Sequence, residues 1–429
     1  MHGLSFIFAL LVAAGLLLRL WLAARQIHAV RAHRTEVPAP FADTIALADH
    51  QKAADYTVAK VRLGQLSACL DALVILALTL GGGIAALDRL WVRSGWPQPW
   101  EGAAVILCVA LIVSVVDLPL SLWRTFGLEA RFGFNRVTPT LFIADLAKSA
   151  ALGLLIGGTI VLGALVLMQR AGHIWWLWAW GGWLGLTLLM SWAWPAFIAP
   201  LFNKFAPLAD QTLRARIESL LSRCGFTSRG VYVIDGSRRS AHGNAYFTGI
   251  GRHKRIVFFD TLLSRLSHSE VEAVLAHELG HFHLRHVRER LLVTMSAALG
   301  ALALLGWLAT EPRFYAALGV TAPSAHAALL LFVLAAPVVA FFATPLASRW
   351  SRRHEFAADA FAANHADARE LATALVKLFR DNASTLTPDP IYSLVYYSHP
   401  PATERIARLR KLPPRSDSPA PCVPAAAAG

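Results

Sequence analysis

Charged side chains are scarce in this sequence. Asp, Glu, Lys and Arg make up 16% of its 429 residues, whereas hydrophobic residues make up 56%. A water-soluble protein cannot carry so large an apolar fraction, because its surface needs polar and charged groups. The composition therefore excludes an ordinary soluble protein and predicts an integral membrane protein whose main solvent is the lipid bilayer.

Cysteine is also rare, with four residues in the chain: Cys69, Cys108, Cys224 and Cys422. No two of them are spaced as C-x-x-C, and Cys69 and Cys108 lie inside apolar runs. The spacing argues against a disulfide framework and against a zinc site built from cysteine.

Acidic residues are outnumbered, 27 against 40 basic ones, which gives a formal net charge of +13. The basic residues lie in loops beside apolar runs and accompany no RNA- or DNA-reading motif. This placement is typical of charges that set membrane topology. We therefore expect no nucleic-acid partner.

Seven apolar segments are long enough to span a bilayer, which takes about 20 helical residues. They lie near residues 4–24, 68–90, 102–123, 149–169, 174–198, 291–310 and 325–347. The first has the position of a secretory signal, but it lacks a basic N-terminal region and contains Arg19, so we interpret it as a span. Lys and Arg are concentrated in loops 25–67 and 124–148, in region 199–290 and after residue 348. The positive-inside rule places these parts in the cytoplasm and the N-terminus outside.

Two stretches are polar enough to fold in water. The first, 199–290, begins with a helical pattern over 210–224, followed by strand-like runs at 230–234, 244–250 and 255–259. A turn is predicted between the last two runs, at Gly249, Gly251 and Arg252. The second stretch, 348–412, is predicted to be helical, whereas 413–429 is rich in Pro and Ala and is predicted to be disordered. Five spans are then expected within 1–198 and two within 291–347.

A candidate metal site lies at His277-Glu278-Leu279-Gly280-His281. Ser267 and Glu270 have the spacing of a capping box, which predicts that a helix begins there. On a helix, two histidines four residues apart share a face, so they can bind one zinc ion while the glutamate projects towards water. The alternative is a polar helix whose histidines face solvent, because this short pattern also arises by chance.

Zinc needs a third protein ligand as well as an open position. One class of zinc peptidases has H-E-x-x-H-x-x-G-x-x-H, but this chain has Leu284 and Val287 where Gly and His are required. His283 and His286 are at the wrong spacing for ligands. We interpret these two histidines as surface residues or as residues that surround the site.

Glu355 and Asp359 are the better candidates for completing the site. They are four residues apart on a predicted helix, so both face the same way. Glu355 can bind zinc, and Asp359 can hydrogen-bond a ligand imidazole and fix its tautomer. The alternative is a membrane-proximal helix with ordinary charged residues.

Together the motifs resemble the type I CAAX prenyl protease family, which consists of seven-span membrane gluzincin metallopeptidases. The resemblance runs from about residue 50 to 412. The matching motifs are Gln51-Lys52-Ala53-Ala54-Asp55-Tyr56, Arg131-Phe132-Gly133-Phe134-Asn135-Arg136, Pro200-Leu201-Phe202-Asn203-Lys204-Phe205, Asn244-Ala245-Tyr246-Phe247, the HExxH helix, Glu355-Phe356-Ala357-Ala358-Asp359 and Ser398-His399-Pro400-Pro401. Several motifs in this order are far more specific than HExxH alone, and they argue against the solvent-facing alternative.

The resemblance implies the role of each candidate site residue. One zinc ion per chain would be held by His277, His281 and Glu355. Glu278 would act as the general base, and His399 would stabilise the transition state. The residues implied to lie around them are Asp359 and Arg405, which would support the ligands, and Asn244, Ala245 and Tyr246, which would pair with an extended substrate. The resemblance also implies a water-filled chamber that would accommodate Asp71 and Asp117 within apolar runs.

The expected protein is thus mainly α-helical, with seven transmembrane helices and a cytoplasmic α+β zincin-like metalloprotease domain. Its expected activity is zinc-dependent endopeptidase cleavage of peptides or proteins, including membrane-associated ones. The high Ala, Leu and Arg usage is typical of bacterial proteins, so we expect a homologue in a bacterial inner membrane with the active site facing the cytoplasm.

Two other functions stay open at this stage. The first is quality control of membrane proteins, as in bacterial heat-shock metalloproteases, although that group is shorter and has fewer spans. The second is a non-catalytic transporter or receptor with a degenerate site. Proteases that cut within the bilayer are excluded, because Arg285, Arg288 and Arg290 follow the HExxH motif.

Overall fold

The computed structural model describes residues 3–226, 228, 230–248 and 255–412. Within these residues the chain is mainly helical and contains a four-stranded sheet. The predicted turn at Gly249, Gly251 and Arg252 and the predicted disordered tail 413–429 lie outside the described residues.

The helices that precede the sheet are α1 Gly3–Ala32, α2 Leu47–Leu78, α3 Gly83–Val92, α4 Trp100–Leu122, α5 Pro139–Leu152, α6 Gly158–Arg170, α7 Trp175–Ala193 and α8 Ala199–Phe202. The sheet region contains β1 Phe205–Pro207, α9 Gln211–Arg223, β2 Val231–Ile234, β3 Ala245–Thr248, β4 Arg255–Phe259, α10 Asp260–Leu263 and α11 His268–His283. After it come α12 His286–Leu308, α13 Pro312–Ala317, α14 Ala325–Ala340, α15 Thr344–His365, α16 Ala368–Asp381, α17 Pro390–Tyr396 and α18 Ala402–Leu409. A π-helical segment, Trp123–Glu129, extends α4. Two others, Gly153–Gly157 and Trp194–Ile198, join α5 to α6 and α7 to α8.

Seven helical stretches among the described residues are long and apolar enough to cross a bilayer. They are Gly3–Ala32, Leu47–Leu78, Trp100–Glu129, Pro139–Arg170, Gly172–Phe202, His286–Leu308 and Ala325–His365. The predicted number of spans is therefore confirmed. Six of the seven predicted segments lie inside these stretches to within two residues.

The second span was predicted wrongly. The prediction was 68–90, but α2 runs from Leu47 to Leu78, and a separate short helix, α3, begins at Gly83. Three consecutive glycines break the helix here, and Gly82 has a left-handed φ of 76°. With 32 residues, α2 is about 48 Å long and so extends beyond a hydrocarbon layer of about 30 Å. Residues 47–67, which were assigned to a loop, are therefore helical.

The sheet region forms its own core with the C-terminal helices. β2 pairs in parallel with β4, whereas β1 and β3 pair antiparallel with β2 and β4, which gives the order β1-β2-β4-β3. The structure contains the predicted helix and three strands, but β1 was not predicted because three residues are too short to show alternation. The core contacts hold α11, which carries the HExxH motif, against the sheet. Large buried side chains of this core include Ile217, Leu220, Phe258, Leu275 and Leu279.

Two adjoining cavities lie among the spanning helices. Their volumes are about 560 Å³ and 450 Å³, and Arg19, Ala68 and Asp71 line both. Asp117 lines the second, which is otherwise mostly apolar. Both carboxylates expected at a polar chamber therefore border a cavity.

Candidate active site

The HExxH helix begins at a complete capping box. The Ser267 hydroxyl accepts a hydrogen bond from Glu270 N (3.2 Å), and the Glu270 carboxylate accepts one from Ser267 N (2.7 Å). Glu270 is buried and also accepts a hydrogen bond from Lys377 of α16 (2.8 Å). The predicted helix start is confirmed, and the contact between Glu270 and Lys377 joins α11 to α16.

Two imidazoles of this helix point at each other. His277 and His281 are one turn apart, and their Nε2 atoms are 3.3 Å apart. Glu355 approaches from α15, with its carboxylate oxygens 3.5 Å from His277 Nε2 and 3.4 Å from His281 Nε2. α11 and α15 can come this close because Gly280 has no side chain at their contact.

This arrangement fits a tetrahedral metal ion. One ligand atom from each of His277, His281 and Glu355 lies within 4.8 Å of the other two. Zinc with bonds of about 2.0–2.1 Å holds its ligand atoms about 3.3–3.4 Å apart, which is close to the separations found here. Glu355 Oε2 is buried and has no hydrogen-bond partner among the described residues, as expected of an atom whose partner is an ion.

Asp359 and Arg405 hold His277 from behind. Asp359 Oδ1 lies 2.8 Å from His277 Nδ1, and Arg405 donates two hydrogen bonds to the Asp359 carboxylate, of 2.6 and 2.9 Å. Burial lowers the pKa of His277, but its contacts with Asp359 and Glu355 outweigh burial and raise this pKa to about 9. The Asp359 contact at Nδ1 favours a tautomer whose Nε2 is directed at Glu355 and is available to a metal.

His286 contacts the imidazole of His281 on the side away from Glu355, as Asp359 contacts that of His277. It is buried, and its Nδ1 lies 3.1 Å from His281 Nδ1. The ring of His354 stacks on it at 4.0 Å. His286 is thus one of the residues around the site, whereas His283 contacts the ring of Phe361 instead.

Glu278, which follows His277 on α11, faces the sheet. It borders the same narrow cleft as Ala245 and Phe247 of β3. Burial raises the pKa of the Glu278 carboxyl above its usual range. A carboxylate with a raised pKa is a better proton acceptor near neutral pH.

β3 is an edge strand, and its outer edge is not paired with any other strand among the described residues. Phe259 N donates to Asn244 O (3.0 Å), so hydrogen bonds to β4 are made at residues 244 and 246. The backbone groups of Ala245 and Phe247 consequently face the outer edge. Asn244 is exposed and closes this end of the strand, with its side-chain oxygen 2.8 Å from Ala245 N. The side chain of Tyr246 is on the opposite face of the sheet from those of Ala245 and Phe247.

His399 lies at the rim of the site. Its Nε2 is 3.4 Å from Glu355 Oε1, and its side chain is 63% exposed. The hydroxyl of Ser398 contacts its Nδ1 at 3.0 Å. Among the expected site residues, the structure groups His277, His281, Glu355, Asp359, Arg405 and His399. Glu278, Ala245 and Tyr246 border the neighbouring cleft, and Asn244 lies exposed at the start of β3.

Known proteins match along nearly the whole chain. Residues 26–204 match the model "CAAX prenyl protease N-terminal, five membrane helices", and residues 207–413 match Peptidase family M48. The chain is 38% identical over 312 residues to the CAAX prenyl protease 1 homolog of Oryza sativa subsp. japonica, covering 71% of this chain and 72% of the relative. It is 31% identical to the Caenorhabditis elegans homolog, covering 95% and 98% of the two chains. The crystal structure of S. mikatae Ste24p matches with a TM-score of 0.88 at 30% identity, over 95% of this chain and 99% of that chain.

The fold and the site together define a multi-span membrane zinc metallopeptidase. The chain belongs to the CAAX prenyl protease family of M48 peptidases. The relatives named above are eukaryotic, so they do not show the expected bacterial origin.

Proposed function

We propose that His277, His281 and Glu355 hold one zinc ion per chain and that Glu278 is the general base of an endopeptidase. The observation that carries this proposal is the three-ligand cluster beside a carboxylate and an unpaired strand edge. When bound, zinc supplies Lewis acidity, which polarises a carbonyl and makes water easier to deprotonate near neutral pH.

The chain's own residues then move the protons. The Glu278 carboxylate takes a proton from the attacking water and later delivers it to the nitrogen of the leaving amine. His399 Nε2, exposed at the rim, donates a hydrogen bond to the carbonyl oxygen as negative charge develops on it. Asp359 and Arg405 keep His277 in the orientation that presents Nε2 to the metal.

The substrate is proposed to bind as an additional strand. The outward carbonyl of Ala245 and the outward backbone groups of Phe247 can pair with an extended peptide. Asn244, whose side-chain oxygen accepts a hydrogen bond from Ala245 N, and Tyr246 border that peptide. Backbone pairing gives affinity without requiring one particular sequence. The relatives are named CAAX prenyl proteases, and we propose that this chain likewise cleaves peptide or protein substrates, including membrane-associated ones.

We also propose that the site faces the cytoplasm of a bacterial cell from its inner membrane. The orientation is supported by the Lys- and Arg-rich stretches that flank the spans on one side. The bacterial origin is supported by the high Ala, Leu and Arg content.

The variant Glu278→Gln tests the mechanism. It removes the proton acceptor but leaves the zinc ligands, so peptide hydrolysis should fall by about 10²–10⁴-fold. The purified variant should still contain one zinc per chain by elemental analysis. Glu218→Gln is the matched control, because it alters an exposed helix-surface pair with Arg214. Hydrolysis by Glu278→Gln at the wild-type rate would refute the assignment, and a folded wild-type protein without zinc would favour a transporter or receptor.

Quality control of membrane proteins is the second candidate function. It is favoured by the edge strand, because recognition through the backbone suits substrates of varied sequence. A comparison of membrane proteomes from cells with the wild-type protein and with Glu278→Gln distinguishes quality control from selective cleavage. Many unrelated intact proteins should accumulate if the role is quality control. A few related proteins should accumulate if cleavage is selective.

A further inference from the structure

The loop that leads into β3 is held by the membrane-spanning helices through His242. His242 Nε2 lies 3.5 Å from Glu129 Oε2, at the end of the third span. The other oxygen of Glu129 accepts a 2.7 Å hydrogen bond from the hydroxyl of Tyr56 in α2. The imidazole also stacks on Phe134, with ring centroids 4.3 Å apart. Two spans and the loop after the third therefore meet at this one side chain.

The opposite side of His242 is fixed to the C-terminal helices. Asn382, which follows α16, places its side-chain oxygen 3.2 Å from His242 Nδ1 and accepts a 3.2 Å hydrogen bond from Gly243 N. The carbonyl of His242 accepts a hydrogen bond from the Thr261 hydroxyl (2.9 Å). Both ring nitrogens, one ring face and the backbone of His242 are thus in contact with partners.

The backbone before His242 is held by the same loop. Ala241 N donates to Phe134 O (3.1 Å), and Arg136 N donates to Arg239 O (3.2 Å). Between them, Asn135 and Ser240 form an antiparallel bridge. The chain reaches the first residue of β3 only three positions after His242, so these contacts set where the strand begins.

We propose that His242 is a positioning residue that fixes the substrate-pairing edge of β3 relative to the spanning helices and the zinc cluster. This inference rests on the proposed function, because it assumes that substrate pairs with β3. Pairing at an edge requires the backbone groups of Ala245 and Phe247 to be held in register with the scissile bond. Displacement of the edge weakens the binding of extended substrates, whereas the zinc ligands and Glu278 are on a different element and stay in place.

The test compares two peptides with the purified full-length protein. One is long enough to lie along all of β3, and the other is a blocked dipeptide that makes little contact with the strand. His242→Ala should raise KM for the long peptide about tenfold, because contacts to a charged partner are lost. It should leave kcat, zinc content and dipeptide cleavage unchanged within about twofold. Tyr56→Phe, which removes one oxygen, should raise KM in the same direction by a smaller factor.

Two further variants test whether the change in KM depends on the contact between His242 and Glu129. His242→Gln keeps a donor that can reach the carboxylate and should restore most of the lost affinity. The double variant His242→Ala/Tyr56→Phe should be no worse than His242→Ala alone, since both act through the same carboxylate. His268→Ala is the matched control, because it removes an exposed histidine that pairs with Asp210 at 2.9 Å in the same region of the chain.

The outcomes separate this inference from the proposed function. If the wild-type protein cleaves neither peptide, the proposed function fails. If it cleaves both and neither His242→Ala nor Tyr56→Phe changes KM for the long peptide, the positioning role is refuted. Equal loss of activity on both peptides, or loss of zinc, would also refute it, because it would place His242 in the support of the metal site. If His242→Ala does not fold, Tyr56→Phe alone decides.

Discussion

Asp359 is the carboxylate that contacts His277, the first of the proposed zinc ligands. It contacts His277 Nδ1 at 2.8 Å and is held in turn by two hydrogen bonds from Arg405. Asp359→Asn keeps the size of the side chain but loses its charge and one acceptor oxygen. We expect zinc affinity to fall by about 10–100-fold, as is usual when such a partner is removed. Competition with a chelating dye measures the change.

The matched control for this variant is Asp210→Asn. Asp210 is an exposed carboxylate that also contacts a histidine, His268. Its replacement should leave zinc affinity unchanged. Equal zinc affinities for Asp359→Asn and the wild-type protein would show that the charge of Asp359 does not orient His277.

The proposed zinc ligands were predictable from sequence to different degrees. His277 and His281 share a helix, so their spacing alone places them on one face. Glu355 is on another helix, and its assignment depended on the family resemblance. The contact of His286 with His281 could not be predicted, because it depends on Arg285 between α11 and α12. This residue has a left-handed φ of 61°, which residues other than glycine rarely adopt.

At the scale of elements, the distance between α11 and α15 determines whether the three ligands can meet. A Cβ atom at Gly280 would lie 3.0 Å from Ala358 Cα and 3.2 Å from Phe361 Cβ. Gly280→Ala should therefore push the helices apart, with a cost of about 1–3 kcal/mol in unfolding free energy. We expect a lower midpoint of thermal unfolding in detergent and weaker zinc binding, because Glu355 moves away from His277 and His281.

Gly300→Ala is the control for this substitution. Gly300 lies within α12, and a Cβ atom there would meet nothing within 4 Å. Removing a helical glycine without a clash should change stability by about 1 kcal/mol or less, in the stabilising direction. If both variants bind zinc as the wild-type protein does, close packing at Gly280 is not required by the site.

Elements with their own local signals were predicted best. The capping box at Ser267 and Glu270 located the start of α11, and short strand-like runs located β3 and β4. The second span was predicted at the wrong residues because hydrophobicity alone does not mark Gly81, Gly82 and Gly83 as a break between helices. Apolar content does not show where a helix breaks, whereas a run of glycines does.

For the whole molecule, the number of spans could be predicted, but their arrangement around two cavities could not. Apolar runs of sufficient length identify spans independently of one another. Their packing depends on small side chains and on hydrogen bonds between distant segments, which leave no periodic pattern in the sequence. The meeting of Tyr56, Glu129 and His242 is one such contact, since it joins three segments that are far apart in the sequence.

The first span is joined to the segment that carries His399 through a second long-range contact. Gln26 is fully buried; its side-chain oxygen accepts a 2.7 Å hydrogen bond from Asp389 N, and its amide is 3.5 Å from the hydroxyl of Tyr397. Tyr397 precedes His399 by two residues, so the position of His399 depends on α1. This contact connects the N-terminal span with the segment that carries His399, more than 360 residues further along the chain.

Gln26→Leu should therefore impair catalysis without removing zinc. Leu is similar in size but cannot bond to Asp389 N or Tyr397, and a buried group left unpaired costs about 1–3 kcal/mol. Because His399 then loses its alignment with the scissile carbonyl, kcat should fall by about 10–100-fold while zinc stays at one per chain. Gln169→Leu is the control, because Gln169 is exposed and its amide makes a long, 3.5 Å hydrogen bond to the exposed side chain of Gln98. Peptide kinetics and elemental analysis measure both effects. Loss of zinc together with activity would place the damage at the metal ligands, and an unchanged kcat would show that α1 does not determine the position of His399.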